Sequence, residues 1–504
     1  MLIHYFFTNS IKIIIIILMQ TRKTKIVCSI GPASSSEEVI RELILTGMNI
    51  ARFNFSHDTH EQHQIKMERV KRISGELGIP VAILLDTKGP EIRTGLVEGD
   101  EKVTIKKDDP VSVTVDDCKT LAARENKPAC ISISWKDAPL KLKNSHHILI
   151  ADGLLDLEVL DVNGGVINCR AKNTAVIGSR KNVNLLGIHA GLPIMSEKDK
   201  EDIAFGVKMG VDFIAASFLS FPHEVIEIRK YLESLNASIK IIAKIECGDG
   251  VENIREIAKV ADGVMVARGD LGVQLPTEQI PLVQKYIISE CRKAGKPVIT
   301  ATQMLESMIV NPRPTRAELT DVANAIFDGT DAVMLSGETT IGAYPVEAVK
   351  MMDKIARTIE ESGEFRHRVK SIRFECLAEE HKPREALGKI MSHYGVLISS
   401  EVNAKAIITP TLSGNTARLL SVFRPDQYIL AVTPNERVMR ELQIFWGVYP
   451  CYAPITDKSE SKIENAIKVA LDTGFAKVSD KIVLVAGLPL QSLNPVNTVR
   501  VIIL

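Results

Sequence analysis

Eight short β-branched or aliphatic runs punctuate the chain, at 25–30, 49–54, 81–86, 212–217, 239–245, 263–267, 297–302 and 331–336, and polar residues close them. Between most of them lies one amphipathic segment opened by a capping signal, such as Ser34 with Glu37, Ser196 with Asp199 or Thr315 with Glu318. Strand–helix repetition with eight strands predicts a closed parallel sheet ringed by helices, a (β/α)8 TIM barrel. At 504 residues the chain is too long for one ordinary core, and a barrel of about 250 residues leaves room for further domains.

The spacing breaks after the third run, where about 125 residues intervene and helical periodicity fades. Short alternating strands at 103–105, 111–115, 130–133, 147–150, 157–159 and 166–169 predict an inserted small β-barrel domain hung on a barrel loop. Beyond the eighth run, strands recur at 405–409, 428–433, 481–486 and 498–503 with helical segments between, predicting a C-terminal α/β domain. The charged stretch 362–384 is expected to link it to the barrel. The expected division is an N-terminal extension over 1–18, disordered or not native, a barrel over 19–87 and 187–360, the insertion over 88–186, and the C-terminal α/β domain over 361–504. The apolar run at 13–18 is too short to span a bilayer and lacks the flanks of a signal peptide, so Met19 is the expected start.

The 62 basic residues balance 62 acidic ones, which gives no reason to expect an extended nucleic-acid surface or a membrane partner. Eight scattered cysteines without a C-x-x-C pair point to a reducing, cytoplasmic setting and away from zinc.

In a barrel of this kind the site lies at the C-terminal ends of the strands, so the polar residues closing each run are the candidates. Lys244 and Glu246 stand two apart and face the same side, and Asp270 closes the next run; two carboxylates there suit magnesium or manganese. A buried charge network of Lys244 with Glu246 or Asp270 is the structural alternative. The segment 268–272, including Gly269 and Asp270, reads as a turn opening a short helix whose N–H groups could receive a carboxylate or phosphate, or as a tight turn alone. Arg52 could grip a phosphoryl group or form a rim salt bridge. Asn54, Ser56, Asp86 and Thr87 suit potassium, with turn hydrogen bonding as the alternative. Thr302 could orient a water over a substrate carbon or serve as a cap; His57 and Arg93 could hold nucleotide phosphates or be solvated loop residues. The chain contains no G-x-x-x-x-G-K-[ST], G-x-G-x-x-G or H-E-x-x-H.

The blocks NIARFNFSH (49–57), LLDTKGPEIRTG (84–95), IIAKIE (241–246), VMVARGDLG (264–272), ITATQMLESMI (299–309), NPRPTRAE (311–318) and DAVMLSGET (331–339) closely resemble pyruvate kinase. The resemblance runs from about Lys23 to the end of the chain. It implies transfer of the phosphoryl group of phosphoenolpyruvate to ADP, with the insertion closing as a lid and the C-terminal domain carrying regulation. It assigns substrate to Arg52, Lys244, Gly269, Asp270 and Thr302, the divalent metal (Mg2+ or Mn2+) to Glu246 and Asp270, and K+ to Asn54, Ser56, Asp86 and Thr87. Glu91 likewise implies a potassium requirement. Nucleotide contacts fall to Asn54, Ser56, His57, Arg93 and Lys181. Thr411, Ser413, Gly414, Asn415 and Thr416, ahead of a helix expected near Ala417, resemble the loop that holds a phosphorylated allosteric effector, or form an ordinary capped turn. A homotetramer is implied. Gln274, Asn182 and Ile341 stand where glutamate, glycine and a polar residue are common. The rival readings are a metal-dependent oxo-acid lyase or aldolase barrel and a catalytically inactive metabolite-binding barrel.

Overall fold

The protein is seen here as a computed structural model that describes residues 22–100, 102–123, 128–375, 383–454, 459–488 and 496–504. The expected extension over 1–18 and the expected start at Met19 lie outside the described residues. Strands β1 (Lys25–Ser29), β2 (Ile50–Asn54), β3 (Ala82–Asp86), β4 (Phe213–Ala216), β5 (Lys240–Ile245), β6 (Gly263–Ala267), β7 (Val298–Ala301) and β8 (Ala332–Leu335) close into one barrel in chain order, β8 pairing back onto β1. Each is parallel to its neighbours, and each falls within one residue of the run read from the sequence.

The strands are apolar on both faces because both faces are covered. Val27, Ile50, Leu84, Phe213, Met265 and Met334 fill the barrel interior, while alternate residues such as Ile26, Ile83 and Ile241 pack under the helices. Ser196 and Thr315 close capping boxes with Asp199 and Glu318 as expected. Ser34 does not cap with Glu37. The helix begins at Glu37, so Ser36 is its cap and accepts the Val39 N–H, while Ser34 accepts the Gly31 N–H in the preceding turn.

Within the insertion, Ile92–Arg93, Asn182–Leu185, His147–Ile150, Leu155–Asn163, Val166–Ala171, Pro110–Thr114 and Ala129–Ser132 form one sheet in that order. A bridge from Thr94 to Ile133, and the Gly95 N–H on the Ser132 carbonyl at 2.9 Å, join its two edges into a barrel. Val103–Ile105 and Ala175–Ile177 pair as a separate ribbon. The sequence reading missed 92–93, 175–177 and 182–185, runs of two to four residues that are too short for a period of two to stand out, even though 182–185 does alternate.

The C-terminal sheet runs Val448–Tyr452, Tyr428–Thr433, Ala406–Pro410, Lys481–Ala486, Thr498–Ile503, with the last strand antiparallel. Val448–Tyr452 went unread because Pro450 interrupts it; as an edge strand it tolerates a proline. The stretch expected to link the domains is helical over Gly363–Glu375. Arg424 meets Asp331 at 2.8 Å and Arg440 meets Asp212 at 2.9 Å. Both acids immediately precede barrel strands, so the C-terminal domain is tied to the barrel floor, opposite the strand ends that form the site. Among the described residues no helix is long and apolar enough to cross a membrane.

Candidate active site

β2 ends in Arg52 and Asn54, β3 in Asp86, and the register sets Asn54 beside Asp86. β4, between β3 and β5, ends in Ala215 and Ala216, which leaves Lys244 of β5 room to reach across it. The Lys244 Nζ lies 2.9 Å from Asp86 Oδ1 and 2.9 Å from Glu246 Oε1, and donates to Ser217 Oγ at 2.7 Å. Arg52 Nε donates to Asp86 Oδ2 at 2.6 Å, and its Nη1 to Ser29 Oγ at 2.8 Å. The network therefore joins Lys244 to Glu246 and Asp86, not to Asp270, and Arg52 pairs inside the mouth with a buried acid rather than at the rim.

Burial sets the electrostatics here. It would raise the Asp86 carboxyl, but the Lys244 and Arg52 charges outweigh it and hold Asp86 below the usual carboxylate range. Burial also opposes the Lys244 charge, and Asp86 with Glu246 overcomes it, so the ammonium stays protonated well above the ordinary lysine range. Glu246 goes the other way. Burial, helped by the Asp270 charge and opposed by Lys244, pushes it up to about 7. The Glu246 Oε2 accepts the Phe218 N–H at 2.6 Å, a donor presented by a left-handed residue.

Arg268, Gly269 and Asp270 do not end β6; they open the helix Arg268–Gln274. Burial raises the Asp270 carboxyl, and that side chain makes no ion pair among the described residues. Glu246 feels the charge of Asp270, and the oxygens of these two acids that are not already bonded would gain from a hard cation. No third His, Cys, Asp or Glu joins them among the described residues, so substrate oxygens and water would complete a magnesium shell. The donor set fits such an ion.

Thr302, just past β7, has φ 68°, and Gln303 has φ 53°. Two side-chain-bearing residues in succession in the left-handed region make a strained backbone that the surrounding contacts must hold. The Thr302 hydroxyl donates to the Ala301 carbonyl at 2.6 Å and accepts the Gly269 N–H at 2.8 Å, while Arg268 holds the Thr302 carbonyl at 2.6 Å. Gly269 lies in the first turn of the helix Arg268–Gln274, so the hydroxyl caps one of that helix's free N–H groups from the end of the neighbouring strand.

Residues 21–349 match the family of pyruvate kinase barrel domains and 391–502 that of pyruvate kinase alpha/beta domains. The chain belongs to the pyruvate kinase family. Pyruvate kinases of Staphylococcus aureus strains USA300 and COL are each 44% identical to it over 482 residues, 95% of this chain and 80% of theirs. The crystal structure of a pyruvate kinase from Cryptosporidium parvum superposes with a TM-score of 0.90 at 40% identity, covering 96% of this chain and 97% of the other.

The remaining residues that the pyruvate kinase resemblance singled out are less concentrated. Asn54 Oδ1 accepts the Ser56 N–H at 3.1 Å, and the Thr87 carbonyl accepts the Ser217 hydroxyl at 2.7 Å. His57 is exposed on the barrel loop after β2, whereas Arg93 and exposed Lys181 belong to the insertion, where Arg93 pairs with Asn182. Arg93 is held by Glu91 at 2.7 Å and by the Arg180 carbonyl at 2.9 Å. In the C-terminal domain Gly414, left-handed at φ 78°, donates its N–H to Thr411 Oγ1 at 2.9 Å; the helix starts at Asn415, two residues before the expected Ala417. Ser413 and Asn415 are exposed and Thr416 is half-buried. Ile341 is exposed.

Ser217, Ser29 and the Phe218 N–H were not foreseen. Ser217 closes the fourth run, so the strand-end rule would have found it; Ser29 lies at the end of β1 and obeys the same rule. The Phe218 contribution is a backbone group and leaves no mark in side-chain chemistry.

Proposed function

We propose that this chain transfers the phosphoryl group of phosphoenolpyruvate to ADP, giving pyruvate and ATP, the last step of glycolysis. Family membership supports the reaction, and one observation carries the placement: a buried lysine kept charged between Asp86 and Glu246, with Arg52 on the far side of Asp86. Arg52, Lys244, Gly269, Asp270 and Thr302 bind the substrate. Lys244 and Arg52 meet the negative charge that develops on the phosphoryl oxygens and on the enolate left behind. The Thr302 hydroxyl orients the water that delivers a proton to the enolate carbon.

Glu246 and Asp270 hold Mg2+ or Mn2+, which when bound supplies Lewis-acid stabilisation of that charge. Asn54, Ser56, Asp86 and Thr87 hold K+; an ionised Asp86, bonded by Arg52 at Oδ2 and only ion-paired with Lys244 at Oδ1, has lone pairs to spare. Asn54, Ser56 and His57 from the barrel and Arg93 and Lys181 from the insertion contact the nucleotide, so the insertion works as a lid. We take 19–87 with 187–360 as the barrel domain, 88–186 as the lid and 361–504 as a regulatory domain whose 411–416 loop takes a phosphorylated effector. A cytoplasmic homotetramer is the expected form.

Purified protein is assayed with phosphoenolpyruvate and Mg2+, with and without ADP, in potassium and in sodium buffer. Pyruvate formed only with ADP, and faster in potassium, is the expected result. Cleavage of an oxo-acid without nucleotide would favour a lyase, and no turnover a metabolite-binding barrel; either defeats the proposal.

A further inference from the structure

Three consecutive lid residues, Ala151, Asp152 and Gly153, have left-handed backbone, with φ of 56°, 56° and 82°. Glycine adopts this freely, but two side-chain-bearing residues in a row do so only where their surroundings force it. Asn182 supplies the force. Its Oδ1 accepts the Asp152 N–H at 3.1 Å, its Nδ2 donates to Asp152 Oδ1 at 2.5 Å, and its carbonyl accepts the Ala151 N–H at 3.0 Å. A glycine, common at this position in the family, could offer only the last of these.

The turn is seated on the barrel helix that carries Asp270. Gln274 of that helix donates to Asn184, two residues along the same lid strand, at 3.3 Å, and Val273 lies 3.9 Å from where a Gly153 Cβ would stand. Asp152 is exposed on that turn, and an acid at this place would be attracted by a cation bound in the cleft.

We propose that Asn182 and Asp152 form a clasp that presents the Asp152 carboxylate to the cleft between lid and barrel, making Asp152 a positioning residue for the cation-bound nucleotide. This rests on the phosphoryl-transfer reading above. Asp152→Asn keeps an acceptor for Asn182 and removes the charge, whereas Asn182→Gly keeps the charge and removes the clasp.

Hydrogen–deuterium exchange of the intact protein, with and without Mg2+, tests the clasp without turnover. In Asn182→Gly the Asp152 amide should exchange about tenfold faster while the rest of the lid keeps its protection. Mg2+ should slow exchange across 151–154 in the wild type and not in Asp152→Asn. Unchanged exchange in Asn182→Gly, or the same Mg2+ effect in Asp152→Asn as in the wild type, would overturn the proposal. In turnover both variants should raise KM for ADP about tenfold and leave KM for phosphoenolpyruvate within about twofold; equal rises in both would reduce the clasp to a structural brace. A wild type that makes no pyruvate would instead defeat the phosphoryl-transfer reading, and the exchange measurements would still judge the clasp.

Discussion

Lys244 shows how single residues acquire their properties from what surrounds them. Two acids and a serine hold a buried ammonium charged where burial alone would neutralise it. Lys244→Met should keep the fold's circular dichroism and lower kcat by at least about a hundredfold, the usual cost of one preorganised charged donor. Loss of the fold would show that the network serves stability. Lys25, on β1, is the opposite case: burial, reinforced by the Arg22 charge and only partly opposed by Glu360, pushes it down to about 7, with its Nζ on the Val448 carbonyl at 2.6 Å and over the Tyr449 ring. Between that value and the ordinary lysine pKa of about 10.4 the unfolded chain binds more protons than the folded one. Stability therefore rises as pH climbs from about 7 toward 10, and the penalty is full below 7. Urea midpoints should show Lys25→Met gaining most over the wild type near pH 6, with the gap closing near pH 9; a gap independent of pH would contradict this account.

At the scale of elements, local signals read best where many residues repeat them. The barrel strands were legible because both faces are apolar, and the Thr315 box because its residues are three apart in sequence. Thr315→Ala should cost about 1 kcal/mol in denaturant titration, the ordinary worth of such a cap. Glu318→Ala should cost more, since the same carboxylate also takes the Ser307 N–H at 2.7 Å and its hydroxyl at 2.5 Å. The short strands of the insertion, the Pro450 edge strand and the left-handed Thr302 and Gln303 carry no such repetition and went unread.

For the molecule as a whole, the insertion has a hydrophobic cluster of its own, whereas Ile444 and Trp446 of the C-terminal domain pack into the barrel's clusters, beside polar ties between the two. The Arg424–Asp331 pair is one, buried on both sides, with the Trp446 N–H also on Asp331 at 3.3 Å. Arg424→Ala leaves that acid buried and should cost about 3 to 5 kcal/mol, seen in calorimetry as a lowered transition with the C-terminal domain unfolding apart from the barrel. A single unshifted transition would show that the tie carries no coupling.

The sequence by itself determined the strand order, the helices between, and the placement of Lys244 and Glu246 on one side of β5, because periodicity and capping act over a few residues. Only the tertiary structure decided that Lys244 pairs with Asp86, that Thr94 and Ile133 close the insertion's barrel, and that Asp152 is pinned by Asn182. Those contacts join residues distant in the chain, and their partners follow from how strands curve and close rather than from any local pattern.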